Sequence, residues 1–272
     1  NFADERIQEI ANKAGFNYRG KVVFYKTNPE LVDANTLNTH CPNEDQNSIE
    51  YGCYDPVTNK IYILKVVNEG YDEIEYHVAA HEMLHAAFYE LDYDEYILLK
   101  GELEQIYDSG KSSVQPIKES LNLYEQDEAT LTNELHSFIG SSLAVKDTSE
   151  FLNNYYSKYF KDRNKPVYYE LSFDKKIDDW AAKIDADSVA LDKKSEEIDT
   201  YKIKWLDEIE GYMQSNICYG DERRYYQNLD AYENNRKIYN SMVAAYNLSL
   251  INYNAEIDKY NTFIQSFKPN MP

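Results

Sequence analysis

Glycine and proline are scarce, at 9 and 7 of 272 residues. So few helix breakers leave little room for Gly/Pro-rich linkers and favour long helices. No apolar run approaches the ~18 residues needed to cross a bilayer. The longest runs, around 22–25 and 61–67, are strand-sized. Basic residues are also in the minority, with 28 Lys and Arg against 48 Asp and Glu, a net charge of −20. No basic cluster offsets this, so the surface repels phosphate backbones and nucleic acid is not an expected partner. The charge itself reads as a means of solubility.

Cysteine is rare as well, with three in the chain. Cys41 and Cys53 flank a polar loop that buries little apolar surface. A crosslink closing it would contribute about 2–3 kcal/mol on loop-entropy grounds. The alternative is a pair of free thiols in a reduced compartment. Cys218 falls in an expected turn and has no obvious partner. A Cys41–Cys53 disulfide implies an extracytoplasmic site, secreted or at the cell surface. The opening Asn1 fits a removed signal or anchor, or a trimmed chain.

Hydrophobic residues make up 43% of the sequence, enough for a core in one sizeable domain with an appendage. Residues 3–14 read as a short amphipathic helix stopped by Gly15. Lys21–Lys26 reads as a strand. Ile49–Tyr54 and Ile61–Val66 read as the arms of a hairpin, with Asp55, Pro56 and Asn59 in its turn. After Gly70 the apolar period changes from two to about 3.6. Helices are expected over 72–90, 94–107, 127–141 and 149–159. Strands followed by packed helices indicate an α+β domain over residues 1–165.

Residues 166–272 follow another rule. Ile177, Ile184, Leu191, Ile198, Trp205 and Tyr212 recur every seven positions. After a break at 216–220, Tyr225, Tyr232, Tyr239, Tyr246, Tyr253, Tyr260 and Phe267 do the same. Two sustained heptad series around a short turn predict an antiparallel helical coiled-coil hairpin, each arm extending roughly 60 Å. The tyrosine stripe is packing rather than a ligand site. The exposed side of such an arm is a docking surface for a protein partner.

The chemistry gathers in His77-Val-Ala-Ala-His81-Glu82-Met83-Leu84-His85. Residues four apart share a helix face, so His81 and His85 can direct their imidazoles at one zinc ion. Glu82, rotated by about 100°, cannot easily join them but can reach a water on the metal and act as general base. Its uncharged neighbours suit a helix buried behind a metal site.

A catalytic zinc takes a third protein ligand and keeps one position open. The best segment for it is Leu131-Thr-Asn133-Glu134-Leu-His136-Ser137-Phe138-Ile-Gly140, on a later helix. HEMLHAAF followed by NELHSFIG resembles the gluzincins, and within them the thermolysin pattern, in which the third ligand is a glutamate in an Asn-Glu-x-x-Ser context followed by glycine. The resemblance implies a zincin-like domain that hydrolyses peptides, with His81, His85 and Glu134 as zinc ligands and Glu82 as base. It rests on some 20 residues. It departs from the family at Phe138, where an aspartate would support a zinc histidine, so another acceptor is required. Asp127, Glu128 and backbone carbonyls qualify. The interval from His85 to Glu134 is also long and requires an inserted helix.

His136 competes with Glu134 as ligand, since the two point about 200° apart on a helix. His77 reads as pocket lining and His40 as loop. Tyr155, Tyr156, Tyr159 and His136 are all eligible to stabilise an oxyanion. Ile61–Val66 is the expected edge strand for an extended peptide. Two rival readings share these residues. One is a zincin-fold scaffold with little catalysis whose arm docks a partner. The other is a hydrolase of peptidoglycan crosslinks.

Overall fold

A computed structural model describes residues 4–42, 49–121 and 127–268, and of 216–219 the backbone alone. Loop positions 43–48 and the Cys218 side chain thus lie outside the described residues. The chain forms two compact units, Asn1–Lys176 with Phe263–Pro272, and Ile177–Thr262. The expected boundary at 165 falls at the start of a helix whose first turns belong to the first unit, where Val167 and Phe173 are buried.

The first unit runs α1 (Glu5–Lys13), α2 (Tyr18–Lys26), β1 (Glu30–Val32), α3 (Ala34–His40), β2 (Gly52–Asp55), β3 (Lys60–Leu64), α4 (Ile74–Phe88), α5 (Tyr93–Asp108), α6 (Gln115–Leu121), α7 (Glu128–Ser141), α8 (Glu150–Tyr156) and the opening of α9 (Asn164–Lys202). This is a mainly helical α+β arrangement with one small sheet. Lys21–Lys26, expected as a strand, lies in helix α2 instead. Its β-branched and aromatic run is strand-like, but Asn17 caps the helix by accepting from Gly20 N at 3.0 Å, and Gly20, Val23 and Phe24 bury one face at helical spacing. β1, α3 and α6 are short and carry little periodicity, and no pattern announced them.

The sheet has the order β1-β3-β2, with β1 parallel and β2 antiparallel to β3. The hairpin turn uses the expected residues: Asp55 Oδ1 accepts from Val57 N at 2.8 Å, and Asn59 takes the left-handed conformation at φ 51°. β3 is paired on both sides, so the segment expected as an edge is the centre of the sheet, and β2 is the edge beside α4. Cys41 and Cys53 form a disulfide with Cα atoms 6.3 Å apart, joining the end of α3 to the middle of β2.

α4 is the central element. Ala79, Ala80, Ala86 and Ala87 are strong helix formers, and nearly every side chain from Ile74 to Ala87 is buried. Glu75 anchors its start, accepting from Val66 N at 2.8 Å and from Arg6 at 2.7 Å. α7 packs against α4, and Gly140 makes the approach possible, because a Cβ there would collide with Leu84 and the Tyr156 ring. Arg163, buried, donates to the carbonyls of Ile139 at 2.9 Å and Leu143 at 2.7 Å, satisfying the end of α7.

The second unit is a helical hairpin. α9 continues through a π-helical turn (Ile203–Asp207) into α10 (Glu208–Tyr219), and α11 (Glu222–Gln265) returns after Gly220. Trp180 Nε1 donates to Glu256 at 3.0 Å and Tyr201 OH to Asn235 at 2.7 Å, so partner numbers fall as the first helix rises and the arms are antiparallel. The seam is half-buried along Tyr225, Tyr232, Tyr239, Tyr246 and Tyr253. Trp205 and Tyr212, expected in it, are instead 42% and 63% exposed, and Leu206 is buried at 7%. The π turn accommodates one extra residue and moves the seam on by one position. Among the described residues no helix is long and apolar enough to cross a membrane.

Candidate metal centre

His81, His85 and Glu134 meet between α4 and α7, each with one ligand atom within 4.8 Å of the others. Glu134 Oε2 lies 3.8 Å from His81 Nε2 and 3.6 Å from His85 Nε2. These separations are too long for hydrogen bonds. They are close to the roughly 3.3–3.6 Å between ligand atoms that share a tetrahedral ion at about 2.0–2.2 Å.

The opposite ring nitrogens are held. His81 Nδ1 is 3.2 Å from Ser141 Oγ, and Ser141 donates its own proton to the Ser137 carbonyl at 2.8 Å. The Ser141 oxygen therefore accepts from His81. His85 Nδ1 is 3.1 Å from Asn133 Oδ1, which can only accept. Both imidazoles thus carry their proton on Nδ1 and turn the lone pair of Nε2 toward Glu134. This fits a metal site, since a ligating histidine donates through its other nitrogen to a fixed acceptor.

Neither acceptor was foreseen. Asp127 caps α7, accepting from Ala129 N at 3.2 Å, and Glu128 pairs with Lys100 at 2.6 Å, so neither supports a histidine. Phe138 packs edge-on against His81 at 4.7 Å between ring centroids, and Ser141 takes the hydrogen bond. Ser141 follows Glu134 by seven residues and so shares its helix face, a signal the sequence did contain.

Burial shapes the electrostatics. It lowers His81 to about 4, keeping the imidazole neutral and able to bind a cation. Burial also works to raise Glu134, but the neighbouring His85 and His81 outweigh it and hold this carboxyl below its ordinary range. Glu82, 5% exposed, is raised well above the usual carboxylate range by burial first and then by the charges of Glu134 and Glu50. The backbone N–H of Tyr54 on β2 lies near Glu82 and opposes that shift.

The remaining candidates lie elsewhere. His136 is fully buried, with Nε2 3.0 Å from Tyr155 OH, while Tyr156 OH donates to the His136 carbonyl at 2.8 Å. Tyr159 is buried against Tyr155. These four residues form an interior aromatic cluster, and the group that gathers one ligand atom each contains Glu134 and not His136. His77 Nδ1 donates to the Pro166 carbonyl at 3.2 Å, and its Nε2 is 3.7 Å from Glu170. His40 stacks on Tyr62 at 4.3 Å.

No family model matches this chain, and no characterised protein or solved structure matches it.

Proposed function

We propose that this chain is a gluzincin-type zinc metallopeptidase with a zincin-like first domain, hydrolysing bonds within polypeptides. His81, His85 and Glu134 are its zinc ligands and Glu82 is its general base. The observation carrying this reading is the pair of imidazoles locked through Nδ1, with both Nε2 atoms turned to one carboxylate oxygen at 3.6–3.8 Å. A zinc ion bound there would polarise the scissile carbonyl and lower the pKa of its water to about 7. Glu82, its proton affinity raised by burial, takes the water's proton and returns it to the leaving amine. Among the described residues β2 is an edge strand, and its outer side, next to Glu82, is the place for an extended substrate to add as a strand.

The Cys41–Cys53 disulfide favours an extracytoplasmic working site. Exposed Val189, Leu248 and Ile251 on the hairpin suit a protein partner.

The test is metal analysis of the full chain purified without added metal, alongside turnover of casein and of peptidoglycan fragments. About one zinc per chain is expected, lost or much weakened in Glu134→Ala. Casein turnover should disappear in Glu82→Gln. Zinc unchanged in Glu134→Ala, or Glu82→Gln as active as the parent, overturns the reading. Turnover confined to peptidoglycan fragments would change the substrate and keep the chemistry.

A further inference from the structure

Glu50 stands beside the candidate centre and has no part in the mechanism above. The β2–β3 ladder extends to Tyr51, whose carbonyl accepts from Leu64 N at 2.8 Å. Side chains alternate along an extended strand, so residues 50 and 52 share a face. That face is turned to α4, since a Cβ on Gly52 would touch Val78 and lie 3.5 Å from Glu82 Cγ. Glu50 is half-buried there, within electrostatic reach of both Glu82 and Glu134.

Other carboxylates packed around α4 have a partner. Glu75 has Arg6 and Val66 N, Glu73 has Lys176, Glu170 accepts from Ser142, Glu82 has the Tyr54 N–H nearby, and Glu134 faces two imidazoles. Among the described residues Glu50 forms neither a hydrogen bond nor an ion pair. A divalent ion at the centre would offset two carboxylates, and the third would remain uncompensated.

Resting on the metallopeptidase reading, we infer that Glu50 is a specificity residue. It anchors a positively charged group of the substrate beside the scissile bond, either a Lys or Arg side chain or a free terminal amine. A partly desolvated carboxylate gains most from a cation that arrives with the ligand, and a neutral ligand leaves it unpaired.

The experiment uses three hydroxamates titrated by calorimetry into the zinc-loaded full chain: N-acetyl-norleucine hydroxamate, N-acetyl-lysine hydroxamate, and norleucine hydroxamate with its amine free. A cationic probe should bind about tenfold tighter than the neutral one, equivalent to about 1.4 kcal/mol. Which cationic probe gains identifies the source of the charge. The affinity ratio should fall to about one in Glu50→Gln and below one in Glu50→Lys. A wild-type ratio near one overturns the inference without recourse to any variant, and so does a ratio that survives in Glu50→Gln. A chain that takes up no metal and no hydroxamate defeats the metallopeptidase reading, and this inference with it. Metal and hydroxamate binding without a cation preference defeats this inference alone.

Discussion

Ser141 Oγ sits 3.2 Å from His81 Nδ1 and passes its own proton to the Ser137 carbonyl at 2.8 Å. The hydroxyl can therefore act only as acceptor toward the imidazole, which fixes the tautomer that leaves Nε2 free. Ser141→Ala removes this acceptor from a buried position and permits the ring to turn. Zinc affinity, measured by competition with a chromophoric chelator, should fall about 10–100-fold. Asn133→Ala should cost a similar factor through His85. Both variants should keep the helical circular dichroism of the parent, because neither side chain belongs to the apolar core. Full zinc affinity in both would mean that the imidazoles are oriented by something other than these two acceptors.

Glu82 is a liability to the metal-free fold. It is 5% exposed and shares its surroundings with Glu50 and Glu134. Its folded-state pKa is raised, so its contribution to stability is present below the unfolded value near 4.5 and is lost as pH rises through the folded value. Glu82→Gln should therefore raise the melting temperature of metal-free protein at neutral pH by several degrees, equivalent to about 1–2 kcal/mol. The gain should vanish near pH 4, where the parent carboxyl is itself protonated. His81 and His136 act with the opposite sign. Burial holds them at about 4 and about 3, so their stabilisation is complete above about 6.5 and is lost as pH falls through those values. Thermal scans of both proteins from pH 2.5 to 8 check this, and a Glu82→Gln curve lying below the parent at pH 7 would contradict it.

The parts of the site carried by helical periodicity were legible before any coordinates. Spacing alone put His81 and His85 on one face of α4, while Glu134 on α7 was indicated by the resemblance to the gluzincin pattern. What escaped was set by tertiary contact. The centre of the sheet could not be told from its edge, because strand order depends on β1, a three-residue strand with no alternation to read. The segment of α2 carries strand-like residues, and its helix is decided by the Asn17 cap and by burial of Val23 and Phe24. Asn133 lay inside the quoted motif, but its role depends on how α7 is rotated against α4, a matter settled partly by Gly140.

The disulfide clamps α3 to the strand that borders Glu82. Cys53 pairs with Tyr62 across β2 and β3, and His40, beside Cys41, stacks on that same tyrosine. With a sequence separation of 12, the crosslink should contribute about 3 kcal/mol. Cys41→Ser with Cys53→Ser should lower stability by that order in denaturant titration. Peptide turnover should fall further than zinc content, since the three proposed ligands ride on α4 and α7 and not on β2. Equal loss of zinc and turnover would place the effect of the crosslink on the whole fold instead of on the edge strand.

The π turn offers a direct contest between heptad spacing and packing in the hairpin. Heptad spacing assigns the seam to Trp205, whereas in the folded hairpin Leu206 is 7% exposed and Trp205 is 42% exposed. Half-buried Ile209 and Met213 continue the displaced line, and Tyr212 stays outside. Leu206→Ala should then cost about 2 kcal/mol or more, as removal of a buried leucine does. Trp205→Ala should cost well under 1 kcal/mol despite deleting the larger side chain. Deleting one residue within 203–205 should restore an unbroken α-helix and return the seam to heptad spacing at little cost. Melting temperatures of the three variants decide the matter, and a larger loss from Trp205→Ala than from Leu206→Ala would return the seam to the position that the heptad series assigns.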